Sequence, residues 1–387
     1  MTTRRELLRL AAGVTASASL PLAAAAPAPK PRAKTPAPTK TLLILGGTGF
    51  IGPHLTEEAL RHGWKVTHFN RGKKSAGTPA GVETLIGNRG EQHADPQLDA
   101  LRNRHWDAVV DDTGFIPKFV KMSAQLLAPN VGYCLYISSI SVYASFAKPN
   151  DERSPVGKLE DVNIQEVTDT SYGPMKALCE QYSMEAFKGR GSVVRPGYIV
   201  GPLDGSDRFT YWPVRASRGG DMLAPGTPGD PIQIIDVRDL AVWMMKLVET
   251  RTRGTYNAVS PPRDFKMGDL IQASREASPD AGTQVTWVSE DFLAAHWKAE
   301  ELDLPPWAPM KGESAGAALT AMTAAAKTGL HSRPLPDTVR DTLAWFRTLP
   351  PERQAKLRAG LDTQKEADTL RSFHAGEKGE KKDEKKG

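Results

Sequence analysis

A glycine-rich turn that follows a short apolar run constrains this chain more than any other feature. Residues 41–45 are Thr-Leu-Leu-Ile-Leu, and glycines follow at Gly46, Gly49 and Gly52. This order predicts a buried strand, a tight turn and the first turn of a helix. The N-terminus of a helix offers unpaired N–H groups and a positive dipole end, and glycine lets a pyrophosphate approach the main chain closely. The segment is therefore predicted to hold a nucleotide.

The residues after this turn predict a complete strand–helix–strand unit. Residues 53–61 predict a helix, which His62 and Gly63 end with a left-handed cap. Residues 64–69 predict a second strand. Glycine spacing alone is a weak signal, but this context is the one that a dinucleotide site requires. The sequence therefore favours dinucleotide binding.

The end of the second predicted strand bears on which dinucleotide is bound. An acidic residue at this point would hydrogen-bond the ribose diol, and a basic one would favour a 2′-phosphate. Residues 70–74 are Asn-Arg-Gly-Lys-Lys and contain no carboxylate. NADP is therefore favoured over NAD, although a basic run also suits a solvated loop.

A second constellation lies in the middle of the chain. Residues 133–137 predict a strand that runs into Ser138 and Ser139, and Tyr172 stands four residues before Lys176. On a helix this spacing puts both side chains on one face, so that the ammonium lies close to the phenol. A nearby cation lowers the pKa of a phenol from about 10 toward a range useful for proton transfer. Tyr172 is therefore the candidate acid/base, and a serine hydroxyl would orient the substrate oxygen.

The glycine turn, the serine pair and the Tyr-x-x-x-Lys helix occur in the order and at the separations of one family. The chain resembles the extended short-chain dehydrogenase/reductases, the NAD-dependent epimerase/dehydratase group, from about residue 41 to about residue 350. The resemblance implies that Ser139, Tyr172 and Lys176 are the catalytic residues. Ser138 is the alternative serine if the strand register differs by one.

The resemblance also implies cofactor contacts, and the composition of the lobe adds expected substrate contacts. The expected cofactor contacts are Gly46, Gly49, Phe50, Ile51, Gly52, Asn70, Arg71, Asn88, Thr113, Gly114, Tyr172, Lys176 and Pro196. The expected substrate contacts are Ser139, Asp207, Arg208, Tyr211 and Arg215. Residues 204–212 are rich in aromatic and charged groups that suit a sugar-like ligand. The aromatic residues equally suit packing of the lobe, and the two arginines equally suit an anionic substrate or ion pairs.

Two departures from the family pattern leave the substrate open. Ala144 follows the serine strand where many members carry glycine. Residues 111–114, Asp-Asp-Thr-Gly, replace the commoner Ala-Ala or Ala-Gly segment beneath the cofactor. Neither change removes a catalytic group, but both place the chain outside the best-known nucleotide-sugar branches.

The resemblance implies an α/β fold, a Rossmann-type doubly wound parallel sheet with a smaller discontinuous α/β substrate lobe. The nucleotide domain would comprise residues 41–200 and 233–260, and the lobe residues 201–232 and 261–350. Residues 351–387 would form a helical segment and then a disordered Lys/Glu tail.

The N-terminal residues predict an export signal and a linker. Arg4 and Arg5 precede a weakly apolar run of small residues, which predicts a twin-arginine export signal over residues 1–26. The alternative is an ordinary charged N-terminus before an alanine-rich helix. Residues 27–40 are rich in Pro, Ala and Lys and predict an extended linker. The mature protein is expected to be periplasmic or otherwise exported, without a stable membrane anchor after signal removal.

Charge and composition limit the other partners. The formal net charge is +5, but much of the excess lies in the signal, the linker and the tail, so nucleic acid is not an expected partner. Cys134 and Cys179 are expected to be small core residues, and the scattered histidines predict no metal site. The expected partner is a small molecule, in particular a carbohydrate, and the family resemblance implies a homodimer.

Export and cofactor use together favour an enzyme that keeps its cofactor bound, because a periplasm offers no plentiful pool of free NADPH. A reductase or epimerase is the safer expectation, because an acid/base pair of the kind that dehydratases need beside the serine is not located in the sequence. The alternative is a non-catalytic dinucleotide-binding sensor or scaffold on the same fold.

Overall fold

The computed structural model describes residues 39–73, 78–90, 95–302 and 304–383. The predicted export signal and all but the last two residues of the predicted linker lie outside these ranges, as does Lys74 of the basic run. The strands are β1 Thr41–Leu45, β2 Lys65–Asn70, β3 Glu83–Ile86, β4 Trp106–Asp111, β5 Val131–Ile137, β6 Gly191–Pro196, β7 Tyr198–Val200, β8 Asp221–Pro225, β9 Pro231–Ile232, β10 Ile234–Asp236, β11 Gly254–Ala258, β12 Phe265–Lys266 and β13 Gln284–Val288. The helices are α1 Ile51–Arg61, α2 Pro117–Leu127, α3 Asp169–Ala186, α4 Tyr211–Ala216, α5 Val237–Thr250, α6 Met267–Glu276, α7 Glu290–His296, α8 Thr323–Lys327, α9 Leu335–Phe346, α10 Pro351–Ala355 and α11 Thr363–Asp383.

In the described part of the chain, seven parallel strands form the central sheet in the order β11-β6-β5-β4-β1-β2-β3. Helices cover both faces: α1 and α5 pack together on one face, and α2 and α3 on the other. Apolar side chains therefore face helices in both directions, and Leu42, Leu43 and Ile44 of β1 are fully buried. The prediction of a Rossmann-type doubly wound sheet is confirmed.

The first β-α-β unit follows its sequence prediction closely. Strand β1 ends at Leu45, and α1 begins at Ile51, two residues before the predicted start. Gly63 adopts a φ of +77° after the helix, in the left-handed region that glycine enters at no steric cost. Strand β2 then runs parallel to β1. The turn between β1 and α1 therefore opens at the carboxyl edge of the sheet, where ligands bind in open α/β folds.

The smaller lobe has a core of its own. It contains the parallel pair β8 and β13, the antiparallel pair β9 and β12, and helices that include α4, α6 and α9. The segment after residue 350 joins this core: Glu366 of α11 accepts a hydrogen bond from the Leu223 N–H at 3.0 Å, and Leu370 is buried against the lobe. None of the helices in the described ranges is long and apolar enough to cross a membrane.

Candidate functional site

The glycine turn is shaped by two close approaches and one open position. Gly46 has a φ of +117°, and a Cβ there would stand 2.7 Å from the Thr113 side chain. A Cβ on Gly52 would stand 2.4 Å from the carbonyl carbon of Gly47, so any larger residue would push α1 away from the turn. Gly49 meets only Asp112 within 4.0 Å, and it borders the open space above the turn. The turn thus leaves room for a ligand that lies against the main chain.

Two adjoining cavities run along the carboxyl edge of the sheet. The sheet-edge cavity, about 530 Å³, lies between the turn and the ends of β2 and β3, and the central cavity, about 1000 Å³, lies between the sheet and the lobe. Gly49, Thr113 and Phe115 border both, so the two form one trough. The sheet-edge cavity is lined by Gly46, Thr48, Gly49, Phe69, Asn70, Arg71, Lys73, Gly87, Asn88, Arg89, Gly90, Thr113, Gly114, Phe115, Ile116, Phe119, Val120 and Val167.

The predicted cofactor residues lie along this trough with one exception. Gly46, Asn70, Arg71, Asn88 and Gly114 line the sheet-edge cavity. All the others except Gly52 border the central cavity: Gly49, Phe50, Ile51, Thr113, Tyr172, Lys176 and Pro196. Gly49 and Thr113 border both cavities. Gly52 borders neither cavity, and its role is the close packing of α1 described above. The shape of the trough and the glycine cradle fit a dinucleotide, with its pyrophosphate at the turn.

The serine, tyrosine and lysine meet at the central cavity. Ser139 follows β5, and its Oγ accepts a hydrogen bond from the Ser141 N–H at 3.1 Å. Tyr172 lies in the first turn of α3, which a capping box formed by Thr168 and Ser171 begins. Both side chains border the central cavity, and the Ser139 hydroxyl lies close enough to the Tyr172 hydroxyl to act on its pKa. The predicted pair is therefore brought together in the cavity.

Gly173 makes this meeting possible, and sequence reasoning missed it. A Cβ on Gly173 would stand 2.0 Å from the carbonyl oxygen of Ser141. Only glycine therefore lets α3 approach the turn that carries Ser139 so closely. The sequence signal that could have identified this role is a glycine directly after the candidate acid/base Tyr172.

Lys176 is buried, and its ammonium points at main-chain carbonyls rather than at the phenol. It donates to the oxygens of Gly114 at 2.6 Å and Ile137 at 2.7 Å. Burial lowers the pKa of Lys176 to about 8, while the charges of Cys179, Asp111 and Glu180 oppose this shift. Because a lysine is charged below its pKa, the ammonium is mostly present at neutral pH.

Burial, a serine and an arginine act on the pKa of Tyr172. Burial raises the pKa of Tyr172, and the hydrogen bond from Ser139 and the positive charge of Arg208 lower it. The Lys176 ammonium is engaged with the two carbonyls, whereas Arg208 supplies a positive charge that acts on the phenol. Arg208 borders the central cavity and lies 5.1 Å above the ring of Tyr198.

The other predicted substrate residues of the lobe do not reach the cavity. Asp207 is fully buried and paired with Arg353 at 2.6 Å. Arg215 is paired with Glu366 at 2.6 Å. Tyr211 is 2% exposed and lies in the lobe core. The structure therefore does not place these three against a ligand: the two charged groups are paired, and the Tyr211 ring packs in the lobe core, as the ion-pair and packing alternatives expect.

The far wall of the central cavity also escaped sequence reasoning. It is formed by a connecting segment of the lobe that has no regular pattern of apolar residues. The residues on this wall are Leu302, Pro306, Trp307, Ala308, Pro309, Glu313, Ser314, Ala317 and Ala318. Glu313 ties the segment to the sheet half, because its Oε1 accepts a hydrogen bond from the Phe146 N–H at 2.9 Å.

Known proteins support both the sequence resemblance and the fold. A relative from Arabidopsis thaliana, the chloroplast stem-loop binding protein of 41 kDa b, is 25% identical over 261 residues, which cover 62% of this chain. The match spans 63% of the length of that relative.

Solved structures share the fold at low sequence identity. WbmH from Bordetella bronchiseptica, solved with NAD+, matches with a TM-score of 0.59 and 20% identity over 80% of this chain and 99% of its own. UDP-glucose 4-epimerase from Thermotoga maritima, solved with UDP-glucose, matches with a TM-score of 0.56 and 14% identity over 79% and 98%. The enzyme of the same name from Thermus thermophilus, solved with NAD, matches with a TM-score of 0.53 and 17% identity over 80% and 100%.

The match to a family model covers most of the sheet half and decides the classification. The model of the NAD dependent epimerase/dehydratase family matches residues 42–259, which is more than half of the chain. The chain therefore belongs to the NAD dependent epimerase/dehydratase family, a group of enzymes within the short-chain dehydrogenase/reductase superfamily.

Proposed function

We propose that this chain transfers hydride between a bound nicotinamide dinucleotide and a hydroxyl or carbonyl carbon of a sugar-like substrate, with Tyr172 as acid/base. The observation that carries the proposal is that Ser139 and Tyr172 both border the central cavity next to the glycine turn, with the serine hydroxyl close enough to act on the phenol. A proton donor or acceptor acts only within hydrogen-bond reach of the reacting oxygen. A substrate oxygen between these two hydroxyls meets that condition.

Each residue of the pair has a distinct task. When bound, the nicotinamide supplies the carbon that accepts and returns hydride. Tyr172 takes the proton from the substrate hydroxyl and returns it to the carbonyl oxygen. Ser139 donates a hydrogen bond to the same oxygen and stabilises its developing charge. Lys176, fixed by two carbonyls, places a positive charge beside the cofactor ribose.

The cofactor preference that we propose is NADP over NAD. Arg71 and Lys73 line the sheet-edge cavity at the end of β2, where the adenosine ribose lies in this fold. Two cations suit a 2′-phosphate, and residues 70–74 contain no carboxylate that would hydrogen-bond a free 2′-hydroxyl. Several structural neighbours carry NAD, so the preference is a feature of this chain rather than of the fold.

The substrate class is proposed from the cavity and from the neighbours. UDP-glucose is the ligand in the Thermotoga enzyme. In this chain, Arg208 offers hydrogen-bond donors from the lobe side, and Phe115 and Phe146 offer aromatic faces for sugar C–H groups. A sugar or sugar-like molecule that passes through a ketone and back suits an enzyme that keeps its cofactor.

The direct test is turnover by the purified chain with NADP+ and NAD+ against a panel of sugars and nucleotide sugars. Epimerisation is followed by product analysis and net oxidation by the absorbance of reduced nicotinamide. We expect activity that is lost in Tyr172→Phe but kept in Tyr182→Phe, a matched change on the same helix. Tight dinucleotide binding without turnover on any substrate would favour the non-catalytic sensor.

Export by the twin-arginine pathway is part of the proposal. It rests on Arg4, Arg5 and the small apolar residues that follow them. Cell fractionation of a tagged chain tests it, with the double variant R4K/R5K as the comparison. We expect the tagged chain outside the cytoplasm and the variant inside it. Equal distribution of the two would contradict export.

A second candidate is recognition of an RNA stem-loop, which is favoured only by the name of the Arabidopsis relative. The test is the binding of labelled hairpin RNA over a range of salt concentrations, in the presence and absence of saturating dinucleotide. Tight, sequence-dependent binding that survives physiological salt would support it. Weak binding that disappears with salt would leave the enzyme proposal alone.

A further inference from the structure

The carboxyl group of Asp112 lies at the glycine turn, and none of the roles assigned above uses it. Its main-chain N–H donates to the Leu45 oxygen at 3.1 Å, which ties the residue to the end of β1. Its Oδ2 lies 3.5 Å from the point where a Cβ on Gly46 would stand and 4.0 Å from the same point on Gly49. The carboxyl group therefore faces the part of the turn that the proposed function gives to the pyrophosphate.

The charged groups around Asp112 are engaged elsewhere. Asp111, the last residue of β4 and the neighbour of Asp112, is already paired with Arg89 in a buried ion pair. On α3, Lys176 donates to two main-chain carbonyls. On β2, the His68 ring lies beneath the turn and bonds to a threonine hydroxyl. Residues 46–53 of the turn contain no titratable side chain, and no hydrogen bond from a described residue reaches the Asp112 carboxyl group.

This environment favours the neutral acid. Burial raises the pKa of Asp112 to about 7, the charge of Asp111 raises it as well, and that of Lys176 opposes both. A protonated carboxyl group can donate a hydrogen bond, whereas an ionised one only accepts. An ionised group at this point would also repel the negative charges of a pyrophosphate. The two protonation states therefore have opposite effects on a ligand in the cradle.

We propose that Asp112 binds the pyrophosphate of the cofactor as a neutral carboxylic acid, donating its O–H to a phosphate oxygen, and that its ionisation weakens cofactor binding. The inference rests on the proposed function, because it needs a dinucleotide in the trough. Its consequence is that the chain holds its cofactor more tightly below neutral pH than above it. By linkage, the bound cofactor also raises the affinity of Asp112 for its proton.

The test is the dissociation constant of NAD+ measured by calorimetry from about pH 6 to about pH 9. NAD+ is chosen over NADP+ because a 2′-phosphate itself titrates at about pH 6 and would add its own pH dependence to the binding. The wild-type chain is compared with two variants. Asp112→Asn keeps a hydrogen-bond donor but cannot ionise, and Asp112→Ala has neither a donor nor an ionisable group. Each titration is run with EDTA and again with Mg²⁺.

For the wild type, we expect the dissociation constant to rise about tenfold per pH unit above about pH 7. Asp112→Asn should lack this step and bind more tightly than the wild type at the alkaline end. Asp112→Ala should also lack the step and bind less tightly than Asp112→Asn throughout. Repeating the wild-type titration in buffers of different ionisation enthalpy should show proton uptake on binding, a readout that requires no variant.

Three results would overturn the inference. A pH step that persists in Asp112→Asn belongs to Lys176 or His68. Wild-type binding that strengthens with Mg²⁺ and loses this dependence in Asp112→Asn indicates a metal bridge to an ionised carboxylate. Wild-type binding without proton uptake shows that Asp112 does not change its protonation. If NAD+ binds to none of the three proteins at any pH, the proposed function itself fails.

Discussion

The sheet half of the molecule positions its functional groups through main-chain geometry, whereas two of the charged lobe residues that the sequence assigns to the substrate are neutralised by ion pairs. In the sheet half, Lys176 is held by two carbonyls, and Tyr172 reaches Ser139 because Gly173 permits close packing. In the lobe, Asp207 and Arg215 form ion pairs with residues of the segment after residue 350. A charged residue in the lobe is therefore a weaker sign of ligand contact than one at the end of a strand.

The largest effect should come from the sheet half. Tyr172→Phe removes the proposed acid/base, and we expect kcat/KM to fall about a thousandfold, within the usual range for such groups. The affinity for dinucleotide should change little, because the ring remains. Steady-state kinetics and calorimetry on the same preparation measure both quantities. Turnover equal to that of the wild type would mean that another group transfers the proton.

The next effect should appear as stability rather than activity. Asp207→Asn leaves Arg353 without its buried anion, and we expect the free energy of unfolding to fall by about 3 kcal/mol. The control is Asp337→Asn, which breaks an exposed pair with Arg340 and should cost at most about 0.5 kcal/mol. Urea unfolding of both variants measures the difference. Equal losses would show that the buried pair has no special weight.

Arg208 and Arg215 lie close together in sequence but have different surroundings, since Arg208 borders the central cavity and Arg215 is paired with Glu366. Arg208→Gln should raise KM by about tenfold, the expected loss for a hydrogen bond from a charged donor. It should also move the acidic limb of the pH–activity profile upward, because the charge of Arg208 lowers the pKa of Tyr172 and the phenolate form is lost below that pKa.

Arg215→Gln should affect stability and not catalysis. It should lower the free energy of unfolding and leave KM and the pH profile of the folded protein unchanged, because its guanidinium is paired with Glu366. A shift of the pH profile in Arg215→Gln, or none in Arg208→Gln, would contradict the assignment of the two residues.

The smallest expected effect concerns cofactor choice. Arg71→Gln should weaken NADP+ binding by about tenfold, the cost of one hydrogen bond to a charged group. Binding of NAD+ should stay within experimental error, because it carries no 2′-phosphate. Competition titrations with the two dinucleotides measure the ratio. A wild-type chain that prefers NAD+ would refute the proposed preference before any variant is made.

The difference between the two halves also explains what the sequence could predict. The β1–α1 turn is encoded locally, by glycines whose φ values and close contacts fix the backbone, so the sequence alone predicts the roles of Gly46 and Gly63. The partner of Asp207 is Arg353, which lies 146 residues farther along the chain. A local sequence pattern cannot predict a pair over this separation. The direction of the Lys176 ammonium depends likewise on carbonyls from two other segments.

Binding of a dinucleotide at the glycine turn can be measured by native mass spectrometry of the purified full chain with added NADP+ or NAD+, beside a Gly52→Val variant. We predict one dinucleotide on each wild-type chain. The variant should bind none, because a larger side chain at residue 52 collides with the main chain of Gly47. A wild-type chain that shows no bound dinucleotide at saturating concentration would contradict the central claim that the glycine turn and the trough hold a nicotinamide cofactor beside Tyr172.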